Sequence, residues 1–92
     1  MKLELRFFAT FREVVGTKTV EREFPDGSSV GDVLRALEDE YEGFAGQILE
    51  NGTVRDQVNV LRNGREIVHL DGMETDLEEG DTVSVFPPVA GG

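Results

Sequence analysis

Leu3, Leu5, Phe7 and Ala9 fall on one parity of the opening residues, and Lys2, Glu4, Arg6 and Phe8 on the other. A period of two marks a half-buried strand, because successive side chains of extended backbone point to opposite faces. Thr10 to Gly16 interrupts the pattern. Alternation resumes over Thr17 to Phe24, with Val20 and Phe24 on one face and Glu21 and Glu23 on the other, before Pro25-Asp26-Gly27 supplies turn chemistry. Two strands with so short a connection predict an antiparallel hairpin.

The period then changes. Val30, Val33, Leu34, Leu37 and Tyr41 recur at spacings of three and four behind Ser29, and Asp32 stands where a capping-box acid belongs. That pattern predicts an amphipathic helix starting at Ser29. Gly43 offers conformational freedom at its end, and Phe44, Ile48 and Leu49 suggest one further short helical turn before Asn51-Gly52. Gln57 to Leu61 reads as a strand with Val58 and Val60 inward. Asn63-Gly64 comes next, a pair that favours positive φ and so a tight hairpin, with Arg65 to Val68 returning beside the first strand. Glu78-Glu79-Gly80-Asp81 is a turn into a last strand, Thr82 to Phe86, which Pro87-Pro88 stops because proline cannot donate to the ladder. The expectation is a single α+β domain over residues 1–88, one main helix across a mixed four- to five-stranded sheet, with a flexible tail over 89–92.

Composition narrows the chemistry. With 92 residues the chain can bury one modest core, and a large enzyme fold is excluded. It has no cysteine and a single histidine, His69, so thiolate zinc sites, disulfides and a cysteine nucleophile are ruled out and metal chemistry has little to work with. Paired catalytic carboxylates, a nucleophile–base pair and a phosphate-cradling glycine loop are not recognisable, so no catalytic residue is expected. A formal net charge of −10 repels phosphate backbones and anionic lipid, which makes nucleic acid and membrane poor partners. The start of the chain carries neither a basic stretch nor a long apolar run, and a cytoplasmic location is expected. Lys2 and Lys18 stand beside seven arginines, a balance that, with the acidic excess, looks like proteins of high-salt cytoplasm, where screening makes surplus carboxylates tolerable.

Several features have plain readings. The Asp39-Glu40-Glu42 and Glu78-Glu79-Asp81 runs lack calcium-loop spacing and read as solvated faces, and Asn51-Gly52-Thr53 reads as a turn. His69 reads as a solvated histidine beside a turn. The last residues, Pro87, Pro88, Val89, Ala90, Gly91 and Gly92, stand apart. Two prolines hold the exit extended, and the glycines carry no Cβ that would obstruct delivery of a terminal carboxylate into a narrow channel on another protein.

Taken with the opening LRFFATFREVVG, the helix start SSVGDVLRAL, the hairpin VNVLRNGRE and the turn EEGDTVSVF, the tail PPVAGG resembles the MoaD/ThiS family of ubiquitin-like sulfur carriers, and more closely the small archaeal modifier proteins. The longer segment from Tyr41 to Asp56 favours the MoaD-like branch. The resemblance implies a β-grasp fold and a Gly92 carboxylate activated by a ubiquitin-activating-type (MoeB/ThiF-like) adenylating enzyme. That enzyme uses ATP; this chain is expected to bind no cofactor and no metal. It further implies one of two fates for Gly92: an isopeptide bond to target lysines, or a thiocarboxylate that donates sulfur to the large subunit of molybdopterin synthase or to tRNA thiolation. A third reading, from composition alone, is an acidic module that occupies a basic partner.

With Leu3, Leu5, Phe7, Val58, Val60, Val83 and Val85 inward, alternation predicts Phe8, Leu61 and Phe86 outward, with Arg6 and Arg62 among them. An exposed apolar group edged by arginine is a candidate docking surface, and covering the core edge is the plainer alternative. The resemblance implies that Phe86, just before the prolines, meets the activating enzyme and that Pro87, Pro88, Ala90 and Gly91 guide the tail. Lys18, on an exposed connection, is a candidate acceptor for another copy's Gly92.

Overall fold

A computed structural model describes residues 1–88. Strand β1 (Lys2–Phe7) leads into helix α1 (Ala9–Val15), then β2 (Thr19–Glu23), helix α2 (Val30–Glu40), and a small hairpin of β3 (Leu49–Glu50) and β4 (Thr53–Val54). β5 (Asn59–Arg62), β6 (Arg65–Glu66) and β7 (Thr82–Phe86) complete the chain. The main sheet has the order β2-β1-β7-β5-β6, with β1 and β7 parallel at its centre and antiparallel partners on both sides. With α2 across one face, this is the β-grasp arrangement.

Local chemistry accounts for most of these elements. The Ser29 hydroxyl accepts the Asp32 N–H at 3.2 Å while the Asp32 carboxylate accepts the Ser29 N–H at 3.0 Å, the reciprocal capping box. The Ser29 N–H and then the Arg35 guanidinium hold the Asp32 carboxyl below the usual carboxylate range. Val30, Val33, Leu34 and Leu37 of α2 are buried against Leu3, Leu5 and Phe7 of β1 and Val83 and Val85 of β7. Each such side chain contributes about 1.5–3 kcal/mol on removal from water, so this two-layer contact dominates the fold. Gly31 lets α2 approach the turn Gly72–Glu74: a Cβ there would stand 2.9 Å from the Met73 carbonyl oxygen. Asn63 and Gly64 adopt φ of 50° and 84°, as the tight hairpin requires.

Five expectations need correction. The connection between β1 and β2 is a helix, α1, whose Phe11 is buried against Phe44 and which ends at Gly16 in the left-handed region with φ 91°. The Phe11, Val14 and Val15 spacing carried that signal, but it spans too few turns to stand out. The segment after α2 forms a 3₁₀ turn at Glu42–Phe44, as its apolar spacing suggested, but Leu49 belongs to the β3–β4 hairpin, closed by Asn51-Gly52. There Gly43 provides closeness: a Cβ would lie 2.8 Å from Val14 Cγ1. β6 stops at Glu66 because the chain turns into Ile67–His69 and buries Ile67, and β5 begins only at Asn59, after Gln57 takes a φ of 72°. No helix among the described residues is long and apolar enough to cross a membrane.

Candidate functional site

The parallel pairing of β1 with β7 sets Phe7 beside Val85, so the residues just beyond these two positions emerge together. Phe8 and Phe86 meet there, their rings nearly parallel at 8° with centroids 4.1 Å apart. Both rings are half-buried on the sheet face away from α2. Phe8 is held in place by α1, which it precedes as an extended N-cap; the next residue, Ala9, takes a φ of 51° that turns the chain sharply. A left-handed alanine is strained by about 1–2 kcal/mol, and here the strain sits beside the stacked rings.

Leu61 joins them across the sheet. Asn59 pairs with Phe86 and Leu61 with Ser84, and the Asn63-Gly64 hairpin then sets Glu66 opposite Leu61. Phe8, Ala9, Thr10, Asn59, Leu61, Glu66, Phe86, Pro87 and Pro88 line a groove of about 520 Å³. Of the residues singled out from sequence, Phe8, Leu61, Phe86, Pro87 and Pro88 are therefore brought together. Lys18 joins them at the edge: its Nζ lies 5.5 Å from the centre of the Phe8 ring, a cation–π contact. The expected tail over 89–92, with Ala90, Gly91 and Gly92, lies outside the described residues.

Arg62 belongs elsewhere, which corrects its placement on the outer face. It pairs with Val83, has the parity of Val60, and so shares the helix-facing side. Its Nε donates to Asp81 at 2.8 Å and its Nη2 reaches Glu78 at 3.5 Å. The Asp81 carboxylate also accepts Asn63 Nδ2 at 2.9 Å and the Glu78 N–H at 2.8 Å, while Asn63 Oδ1 accepts the Thr82 N–H. Burial pushes the Asp81 carboxyl up, but the hydrogen bonds from Arg62, Asn63 and Glu78 outweigh it, and the net displacement is downward. The same bond to Asp81 raises Arg62. This cluster clamps the entry of β7. Arg6, the other arginine expected at the patch, is engaged by Glu4 at 2.7 Å.

Asn59 and Glu66 line the groove without having been singled out, although hairpin register places both on the parity of Leu61. Ala9 and Thr10 had no such signal. A second groove of about 480 Å³ opens beyond Asn59 and Glu66 toward Val54, Val68 and Met73. His69 is exposed, 3.6 Å from Glu66.

Known proteins share this architecture. The chain is 66% identical over 92 residues to Small archaeal modifier protein 3 of Haloferax volcanii, covering 100% of both. It is 30% identical over 69 residues to Sulfur carrier protein CysO of Mycobacterium tuberculosis, covering 72% of this chain and 74% of the relative. A protein of Haloferax volcanii solved in solution superposes with a TM-score of 0.93 at 66% identity, covering 100% of this chain and 87% of that one. The sequence pattern that describes the ThiS family matches residues 5–92. With the expected β-grasp present, near-complete coverage by that pattern and 66% identity to a relative over the full length, this chain belongs to the ThiS family.

Proposed function

We propose that the chain is a ubiquitin-like protein modifier whose Gly92 carboxylate is adenylated by a partner enzyme and joined through an isopeptide bond to lysines of target proteins. The observation that carries the reading is the Phe8–Phe86 stack at the root of the tail, an apolar groove continuous with Pro87 and Pro88. A partner that grips this groove is positioned to receive the residues beyond Pro88. The full-length similarity to a protein named a small archaeal modifier supports the same reading.

A free carboxylate resists nucleophiles because it is negatively charged and its leaving group would be an oxide. Attack by the carboxylate oxygen on the α-phosphate of ATP releases pyrophosphate and leaves an acyl-adenylate. A lysine amine then forms the carbon–nitrogen bond as AMP departs. The partner supplies ATP, metal and electrostatic stabilisation; this chain supplies the carboxylate, a tail without bulk and the docking groove.

The second reading is a sulfur carrier, in which sulfur attacks the same adenylate and Gly92 becomes a thiocarboxylate. It is favoured by relatives named for that role, CysO and the Molybdopterin synthase sulfur carrier subunit of Aedes aegypti, the latter 31% identical over 96 residues. Mass spectrometry of a tagged chain from its native host separates the two. Arg65 is the last tryptic site before the tail, so a protease that cuts after glutamate is used to release the segment from Gly80 onward. Tail remnants on target lysines that vanish when Gly91 and Gly92 are deleted support the modifier. Sulfur in place of oxygen on a free Gly92, with no lysine branches, overturns it in favour of the carrier.

A further inference from the structure

We propose that Lys18 is a switch on activation: an acyl group on its Nζ removes the cation at the edge of the docking groove and slows activation, whereas an acyl group on Lys2 leaves activation unchanged. This rests on the reading of the Phe8–Phe86 groove as the activating enzyme's docking surface. Lys2 and Lys18 are the lysines of the chain, and both are exposed. They stand at opposite ends of β1. Lys18 accepts the Phe7 N–H with its carbonyl at 2.8 Å, which fixes it beside the end of the strand, and its Nζ is 5.5 Å from the Phe8 ring centre. Phe8 in turn lies on Phe86, the residue before Pro87. Ammonium, Phe8 ring and Phe86 ring thus lie one against the next. Lys2 starts β1, with its N–H donated to Glu79, about 17 Å from Phe7 at a strand rise of about 3.3 Å per residue.

Acylation of Lys18 has two consequences at this place. The ammonium loses a proton to become an amine, the nitrogen attacks the activated carbonyl, and a second proton leaves the nitrogen as the carbon–oxygen bond to AMP breaks. The product is a neutral amide, so the cation over Phe8 is gone. When the acyl group is a second copy of the chain, a whole domain is also tethered at the edge of the groove. A free dimer linked through Lys18 is therefore activated more slowly at its acceptor copy, while one linked through Lys2 is activated as the single chain is.

The test is ATP–pyrophosphate exchange by the host's MoeB/ThiF-type enzyme on full-length chains carrying Nε-acetyl-lysine at position 18 or at position 2. Acetylation at 18 is expected to lower exchange about two- to fivefold, the size of a lost cation–π contact at an exposed site. Acetylation at 2 should leave it unchanged, Lys18→Gln should reproduce the loss and Lys18→Arg should restore the rate. Thermal melting of each protein checks that the domain is intact. Wild-type exchange from the 18-acetylated chain, with Phe86→Ala still slow, overturns the switch and spares the docking surface. Wild-type exchange from Phe86→Ala as well overturns both.

Discussion

Strand β7 is entered and left through clusters of opposite chemistry. At its entry Asp81 accepts from Asn63, Arg62 and the Glu78 N–H and retains 6% of its exposure. At its exit Phe8 and Phe86 stack, but together with Leu61 and the prolines they still line an open groove. The buried carboxylate at the centre of that cluster, Asp81, has both oxygens engaged within the chain and is not free to meet a partner. Apolar surface left half-covered next to the tail is, because further burial still releases free energy. The contrast separates two arginine and phenylalanine sets that look equivalent in sequence: Arg62 holds the fold, and Phe86 is available for recognition.

Removing the tail should have the largest effect. Deleting Gly91 and Gly92 should abolish both lysine conjugates and thiocarboxylate, read by mass spectrometry, with the melting temperature unchanged. Next, Phe86→Ala is expected to slow pyrophosphate exchange more than tenfold while costing about 1 kcal/mol of stability beyond its lost burial, the worth of an aromatic pair. The entry cluster should behave in the opposite sense. Every group facing the Asp81 carboxylate is a donor, so the amide of Asp81→Asn must turn an N–H toward one of them; urea unfolding should show a loss of about 2–3 kcal/mol with exchange unchanged in the folded protein.

pH sharpens the same distinction. Since the folded carboxyl of Asp81 is held below its ordinary value of 3.8, the unfolded chain binds its proton first as pH falls. The stabilisation is complete above that value and is lost as pH drops through the lowered folded one, so stability rises with pH across this window. Melting temperatures of Asp81→Asn should therefore fall less steeply than those of the wild type between about pH 5 and pH 2. The smallest effect is expected at Ala9. Relief of its left-handed strain slightly outweighs the added freedom of the unfolded chain, so Ala9→Gly should gain about 0.5 kcal/mol, whereas Ala36→Gly inside α2 should cost about 1 kcal/mol.

What the sequence determined by itself lies in features whose cause is local. Alternation over Lys2 to Phe7, the Ser29–Asp32 capping box, the Asn63-Gly64 hairpin and the proline stop after Phe86 are each set by a few neighbouring residues, and all are present. The reading of the tail over 89–92 rests on its sequence alone, since those residues lie outside the described ones. The tertiary structure decided what depends on pairings between distant segments. Parallel pairing of β1 with β7 brings Phe8 onto Phe86, and the ordering of the β1–β2 connection as α1 completes the groove's wall. Register across β5 and β7 moved Arg62 to the helix side and gave it to Asp81, and it brought Asn59 and Glu66 to the groove. Nothing within a few residues of Lys18 announces that its ammonium will stand over an aromatic ring, because that contact exists only once β1 has β2 on one side and β7 on the other.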